Sequence, residues 1–229
     1  MTSKPVIGTL QERSLHASVK DLYMTGDARS EVSVEGFVVD VVKDDLLVEV
    51  QTRNFAAIKS KLVSLLKNHP VRLVYPLPKK KWIVKESLDG SKQLSRRRSP
   101  KSCGFEDVFD ELVRIPNLIT HSNFSIEVLL IEEEEVRRQD GMGSWRRRGW
   151  SIVDRKLVKV LERRLYETPS DFLHFVPESL EKPFRNSDLV DALGIPRRLG
   201  QRMTYCLRKM NVLKKVGKKG NALLHDVVE

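Results

Sequence analysis

Residues 37–51 decide the fold: Phe37-Val38-Val39-Asp40-Val41-Val42-Lys43-Asp44-Asp45-Leu46-Leu47-Val48-Glu49-Val50-Gln51. Two runs apolar on both faces flank the polar Lys43-Asp44-Asp45, which reads as a β-hairpin. Each run carries one carboxylate, Asp40 in the first and Glu49 in the second. A buried charge is costly unless it is paired or bound to a metal. A tip at Asp44-Asp45 sets Asp40 opposite Glu49 and Val38 opposite Gln51. Side-chain alternation then predicts Asp40, Glu49 and Gln51 on one face, with the two carboxylates about 5 Å apart at Cβ. Carboxylates that close repel unless a cation lies between them. Mg²⁺ suits such oxygen ligands, and Mn²⁺ can replace it. A hairpin with both carboxylates solvated at an open sheet edge is the plainer alternative, and the uniformly apolar neighbours argue against it.

The flanks extend the pattern. Leu15, Val19, Leu22 and Tyr23 form one stripe of a helix over residues 8–24, and Glu12 lies on the same stripe. His16, four residues after Glu12, reads as a surface or partly packed histidine. Residues 30–34 alternate as a short strand. Asn54 is the expected N-cap of a helix with Phe55, Ile58, Leu62, Leu65 and Leu66 inside and Lys59, Lys61 and Lys67 outside. Val71–Tyr75 is a further strand, closed by Pro76 and Pro78. The order is helix, three strands, helix, strand, with a right-handed crossover between the last two strands if they are parallel.

This order and the Asp40…Glu49-Val50-Gln51 motif resemble the core of the PD-(D/E)XK, or restriction-endonuclease-like, nuclease superfamily. The resemblance covers residues 8–76. It implies an αβββαβ core, phosphodiester hydrolysis of DNA, and Mg²⁺ or Mn²⁺ held by Asp40, Glu49 and the Val50 carbonyl. Glu12 matches the metal-site glutamate of the early helix in the Holliday-junction-resolvase-like branch. Gln51 replaces the usual lysine, so it can orient water but cannot serve as general base. Arg53 and Lys59 are the nearby replacement cations in sequence. Many relatives in that superfamily act as homodimers.

Beyond Pro78, residues 91–153 read as a basic hairpin or connector extension. A strand at Trp82–Lys85 lies between Lys79-Lys80-Lys81 and Arg96-Arg97-Arg98, and helix is expected over Phe105–Val113. Phe124–Ile131 is a strand followed by the acidic run Glu132–Glu135, which either neutralises Arg146, Arg147 and Arg148 across a hairpin or faces water. Trp145 and Trp150 read as packing anchors slightly more than as a base-stacking pair. A helix is expected from Asp154 to Tyr166, opening a unit over residues 154–229.

In that unit a helix, a tight turn at Gly194-Ile195-Pro196, a second helix and a two-stranded wing resemble a winged helix-turn-helix. The resemblance places Arg197, Arg198 and Arg202 at base edges, with Lys214, Lys215, Lys218 and Lys219 on the wing near phosphates. The fold class expected for the chain is therefore α/β, an αβββαβ restriction-endonuclease-like core of residues 1–90 with a C-terminal winged helix-turn-helix domain.

The composition agrees. The 229 residues carry a formal net charge of +10, which favours an anionic partner, duplex or branched DNA before others. Cys103 and Cys206 lack CxxC spacing, which gives no disulfide framework or zinc site and fits the reducing cytoplasm. No apolar run spans a bilayer, and the first residues lack the apolar stretch of a signal peptide. A catalytically inactive nuclease-fold DNA-binding regulator is the alternative function, and Gln51 is its best argument.

Overall fold

The strands β2 (Phe37–Lys43) and β3 (Leu46–Val50) pair antiparallel, Val41 opposite Val48 and Lys43 opposite Leu46. The tip is Asp44-Asp45, with Asp44 at φ 51°, a left-handed conformation that aspartate tolerates in tight turns. The computed structural model describes residues 13–228; Glu12 lies outside them. α1 (Arg13–Asp21) precedes β1 (Arg29–Val34), which pairs with β2 on the side away from β3. α2 (Phe55–Leu65) carries the chain from β3 to β4 (Val71–Glu86), parallel to β3. Asn54 does occupy the N-cap position of α2, but at φ 57° and without a side-chain bond. The Glu111 carboxylate accepts from the Phe55 N–H instead, at 3.1 Å.

β4 does not close at its prolines. It runs on to Glu86, so the strand expected at Trp82–Lys85 is its far end. β3 makes its last main-chain bond to this edge where the Gln51 N–H meets the Val74 carbonyl. β5 (Gln93–Arg98) joins the same edge only at Trp82. Pro76 and Pro78 alternate with Val74 and so face the gap between β3 and β5, where no N–H is needed. β6 (Phe124–Gln139) lies parallel to β4 on its other side, and β7 (Trp150–Tyr166) returns antiparallel to β6. Residues 154–166, expected as a helix, are thus strand. Their apolar spacing is real, but a half-exposed outer strand tolerates charges at any position, so Lys156, Lys159, Glu162 and Arg163 dilute the alternation. The result is a mixed α/β fold with one seven-stranded sheet, ordered β1-β2-β3-β4-β6-β7 with β5 against β4.

The acidic run lies inside this sheet. Glu133 and Glu135 are buried, and the Lys81 ammonium meets both, at 2.8 and 3.2 Å. Glu134 pairs with Arg96, and Glu132 accepts from the Trp82 indole N–H at 2.7 Å. Among the described residues the partners of the run are therefore on β4, β5, β6 and β7, not Arg146–Arg148.

After Tyr166 come a 3₁₀ turn (Pro169–Phe175), β8 (Phe184–Arg185), α4 (Asn186–Leu193), α5 (Arg197–Lys209) and the hairpin β9 (Leu213–Lys219) and β10 (Ala222–Val227). β8, β10 and β9 form a small sheet in that order. Gly194 ends α4 at φ 62°. A β-carbon on Gly200 would come 2.3 Å from the Val190 side chain, so glycine lets α4 and α5 approach. The unit begins after β7, not at residue 154, and it is not separate from the body. Leu199, Met203, Cys206 and Leu207 of α5 enter one core with Phe172, Phe175, Phe109, Phe124 and the α2 residues Leu62 and Leu65. A smaller core on the opposite face of the sheet joins Leu15 and Val19 of α1 to Val41, Val48, Val50, Val74 and Leu129. Among the described residues no helix is long and apolar enough to cross a membrane.

Candidate functional site

The register that β2 and β3 adopt, continued one residue past Val41 and Val48, sets Asp40 beside Glu49. The two side chains nevertheless part. Glu49 alternates with Val48 and Val50, which face α1, so it turns to the α2 side of the sheet. On β2, Val39 packs in the larger core and Val41 in the smaller, although residues two apart in a regular strand share a face. The strand therefore turns over at Asp40. Its neighbour on β1, Glu31, sits at φ 55°, and the ladder skips this pair. The expectation that Asp40, Glu49 and Gln51 share one flat face is corrected accordingly, because the alternation rule fails at this irregularity.

Asp40 is held from two directions. Its Oδ2 accepts the Val50 N–H at 2.8 Å and lies 3.2 Å from His16 Nε2 on α1. Burial pushes its carboxyl up, but the His16 hydrogen bond, the Val50 N–H and the His16 and Lys61 charges outweigh that and hold it below the ordinary range. The same bond to Asp40 raises His16 against the opposing effect of burial. His16 is partly packed, one of the two readings its spacing allowed, and it joins the site through its contact with Asp40.

Glu49 is only 4% exposed. Its Oε1 meets Lys61 Nζ at 2.5 Å, and the same ammonium donates to the Val38 carbonyl at 2.5 Å. Burial pushes the Glu49 carboxyl up to about 7 against the pull of Lys61. Lys61 was expected on the outer face of α2, with Arg53 and Lys59 as the replacement cations. It comes instead from the border of the buried stripe, three residues after Ile58, and its stem runs along apolar surface to reach Glu49.

Gln51 stays in the ladder through its N–H, and its side-chain amide donates to the Arg53 carbonyl at 2.5 Å. Among the described residues no three His, Cys, Asp or Glu side chains converge as a ready metal cage. The oxygen donors at this point of the sheet are the Asp40 and Glu49 carboxylates and the Val50 carbonyl, a hard set suited to Mg²⁺ or Mn²⁺, with Glu12 outside the described residues.

In the C-terminal unit Arg197 and Arg198 are exposed at the start of α5, and Lys214, Lys215, Lys218 and Lys219 are exposed on β9. Arg202 is not available in the same way. Its guanidinium bonds the Asp110 carboxylate of α3 (Phe109–Leu112) and, at 3.3 Å, the Asp110 carbonyl. It fastens α5 to the body of the molecule.

The family model described as a domain of unknown function, DUF8091, matches residues 13–167. That span runs from the first described turn of α1 to one residue past β7. A relative from Treponema pallidum (strain Nichols), described as an uncharacterized protein, is 30% identical over 221 residues, covering 96% of this chain and 86% of its own. No solved structure matches the chain. The chain belongs to the DUF8091 family.

Proposed function

We propose that the protein is a metal-dependent DNA endonuclease of the cytoplasm, with an αβββαβ restriction-endonuclease-like core and a winged helix-turn-helix that grips DNA. One observation carries the reading: the register sets Asp40 and Glu49 at neighbouring backbone positions where the β2–β3 ladder ends, Asp40 tied to the Val50 N–H and Glu49 to the Lys61 ammonium of α2. The element order α1-β1-β2-β3-α2-β4, with β3 and β4 parallel, supports it. Asp40, Glu49 and the Val50 carbonyl would hold Mg²⁺ or Mn²⁺, with Glu12 as a further ligand. Such an ion supplies water activation and charge neutralisation at a scissile phosphate.

The chain's own groups do the rest. His16 and the Val50 N–H fix the rotamer of Asp40 and keep it anionic. Lys61 supplies the positive charge that Gln51 lacks, set beside the phosphate path rather than on the β3 strand. Gln51 orients water. Arg197, Arg198, Lys214, Lys215, Lys218 and Lys219 make a basic surface for the DNA backbone.

Gln51, with its amide engaged by the Arg53 carbonyl, favours the alternative of an inactive nuclease fold that binds DNA as a regulator. Incubation of supercoiled and branched DNA with Mg²⁺ or Mn²⁺ separates the two. The nuclease reading expects cleavage by the wild type and none by Asp40→Ala. DNA binding without cleavage in both proteins, or equal cleavage by both, overturns it.

A further inference from the structure

The sheet continues well past the candidate site. From Val74, opposite Val50, to Glu86, opposite Arg138, β4 extends for a further 86 − 74 = 12 residues. At roughly 3.3 Å per residue that is about 40 Å of strand. The β6–β7 hairpin ends this arm with a turn over residues 140–149. The turn is tightly built. Asp140 accepts from the Met142 N–H at 2.9 Å and from the Ser151 hydroxyl at 2.7 Å. The Arg147 N–H bonds the Ser144 carbonyl at 2.8 Å, and its Nε bonds the Trp150 carbonyl at 3.1 Å. A β-carbon on Gly143 would stand 2.1 Å from that same carbonyl oxygen, so the frame requires glycine.

This frame displays Trp145 at 82% exposure, the opposite of the packing anchor expected from sequence. Trp150, by contrast, is half-buried with the Lys85 ammonium 4.2 Å from its ring centre. The Arg146 guanidinium lies 5.5 Å from the Trp145 ring centre. Among the described residues none of Arg146, Arg147 and Arg148 forms an ion pair. An indole held in water beside the exposed guanidinium groups of Arg146 and Arg148 matches a partner that offers a flat aromatic face and phosphates together.

We propose that the 140–149 tip is a stacking platform for an unpaired nucleotide, which makes the substrate a DNA with a single-stranded or branched segment. The proposal rests on the nuclease reading for its choice of DNA. A lipid surface would also accept tryptophan and arginine. However, the arm between core and tip carries Lys81, Arg96 and Arg137 in ion pairs rather than a broad apolar face. Arg97 and Arg98 are exposed along β5, where a strand leading from the core would pass.

The test uses the full chain in EDTA, so that binding is read without cleavage and fails or succeeds independently of it. Fluorescence anisotropy compares a blunt duplex with the same duplex carrying two non-complementary oligo-dT tails. The wild type should prefer the forked DNA, and Trp145→Ala should lose about tenfold of that preference. The dT tails should also quench tryptophan emission in the wild type and not in Trp145→Ala. Equal preference in the two proteins, or an emission change with phosphatidylserine vesicles and none with forked DNA, overturns the proposal.

Discussion

Lys61 and Glu49 form the pair on which the proposed chemistry turns. A buried carboxylate with its pKa near 7 is held by one ammonium at 2.5 Å. Without that ammonium Glu49 takes up a proton more readily, so the fold should survive while the charge that the proposed chemistry needs is lost. Lys61→Met should cut cleavage by about 10²-fold or more. Adding Glu49→Gln to it removes the buried charge altogether and should not restore cleavage. A steady-state cleavage assay with a thermal melt on the same samples checks this. Wild-type rates in Lys61→Met would show that Lys61 only pairs with Glu49. Asp40 and Glu49 were legible because carboxylates stand out in apolar strands. Lys61 was not, because a lysine at the edge of a helical stripe reads as solvated until the length of its stem is placed against the sheet. His16 was hidden for a related reason: its partner is 24 residues away in sequence.

At the scale of elements, α5 carries two kinds of arginine that composition cannot separate. Arg198 is exposed, whereas Arg202 is fastened to Asp110. Arg202→Ala should therefore destabilise the fold by about 1 kcal/mol, discounted because Asp110 is half exposed. It should change DNA affinity little, while Arg198→Ala weakens DNA binding and flattens its salt dependence. Denaturant melts and anisotropy over a salt series would read both. A larger affinity loss in Arg202→Ala than in Arg198→Ala would contradict the assignment. The hairpin register and the α2 crossover could be read from the sequence because turn position and alternation determine them. β7 could not. Its charges and apolar residues fit a helix as well as an outer strand, and only pairing with β6 decides between them. The passage of β4 through Pro76 and Pro78 was also hidden, since it depends on β3 ending before β5 begins.

For the whole molecule, two cores on opposite faces of one sheet make up the interior of this basic chain of 229 residues. The candidate site lies at the end of the β2–β3 ladder, between α1 on one face of the sheet and α2 on the other, with the C-terminal unit docked through α5 onto the α2 side. In the proposed function Asp40 and Glu49 bind a divalent ion there. Glu49 must be ionised to do so. With its carboxyl raised to about 7, it is mostly protonated at pH 6 and mostly charged at pH 8. Ion affinity should therefore rise with pH through that window, by about tenfold. The most direct test is calorimetric titration of Mn²⁺ into wild type and Asp40→Ala at pH 6 and pH 8. The predicted result is one-site binding in the wild type, tighter at pH 8, and none in Asp40→Ala. Binding that is absent in the wild type, or equal in the two proteins at both pH values, would contradict it.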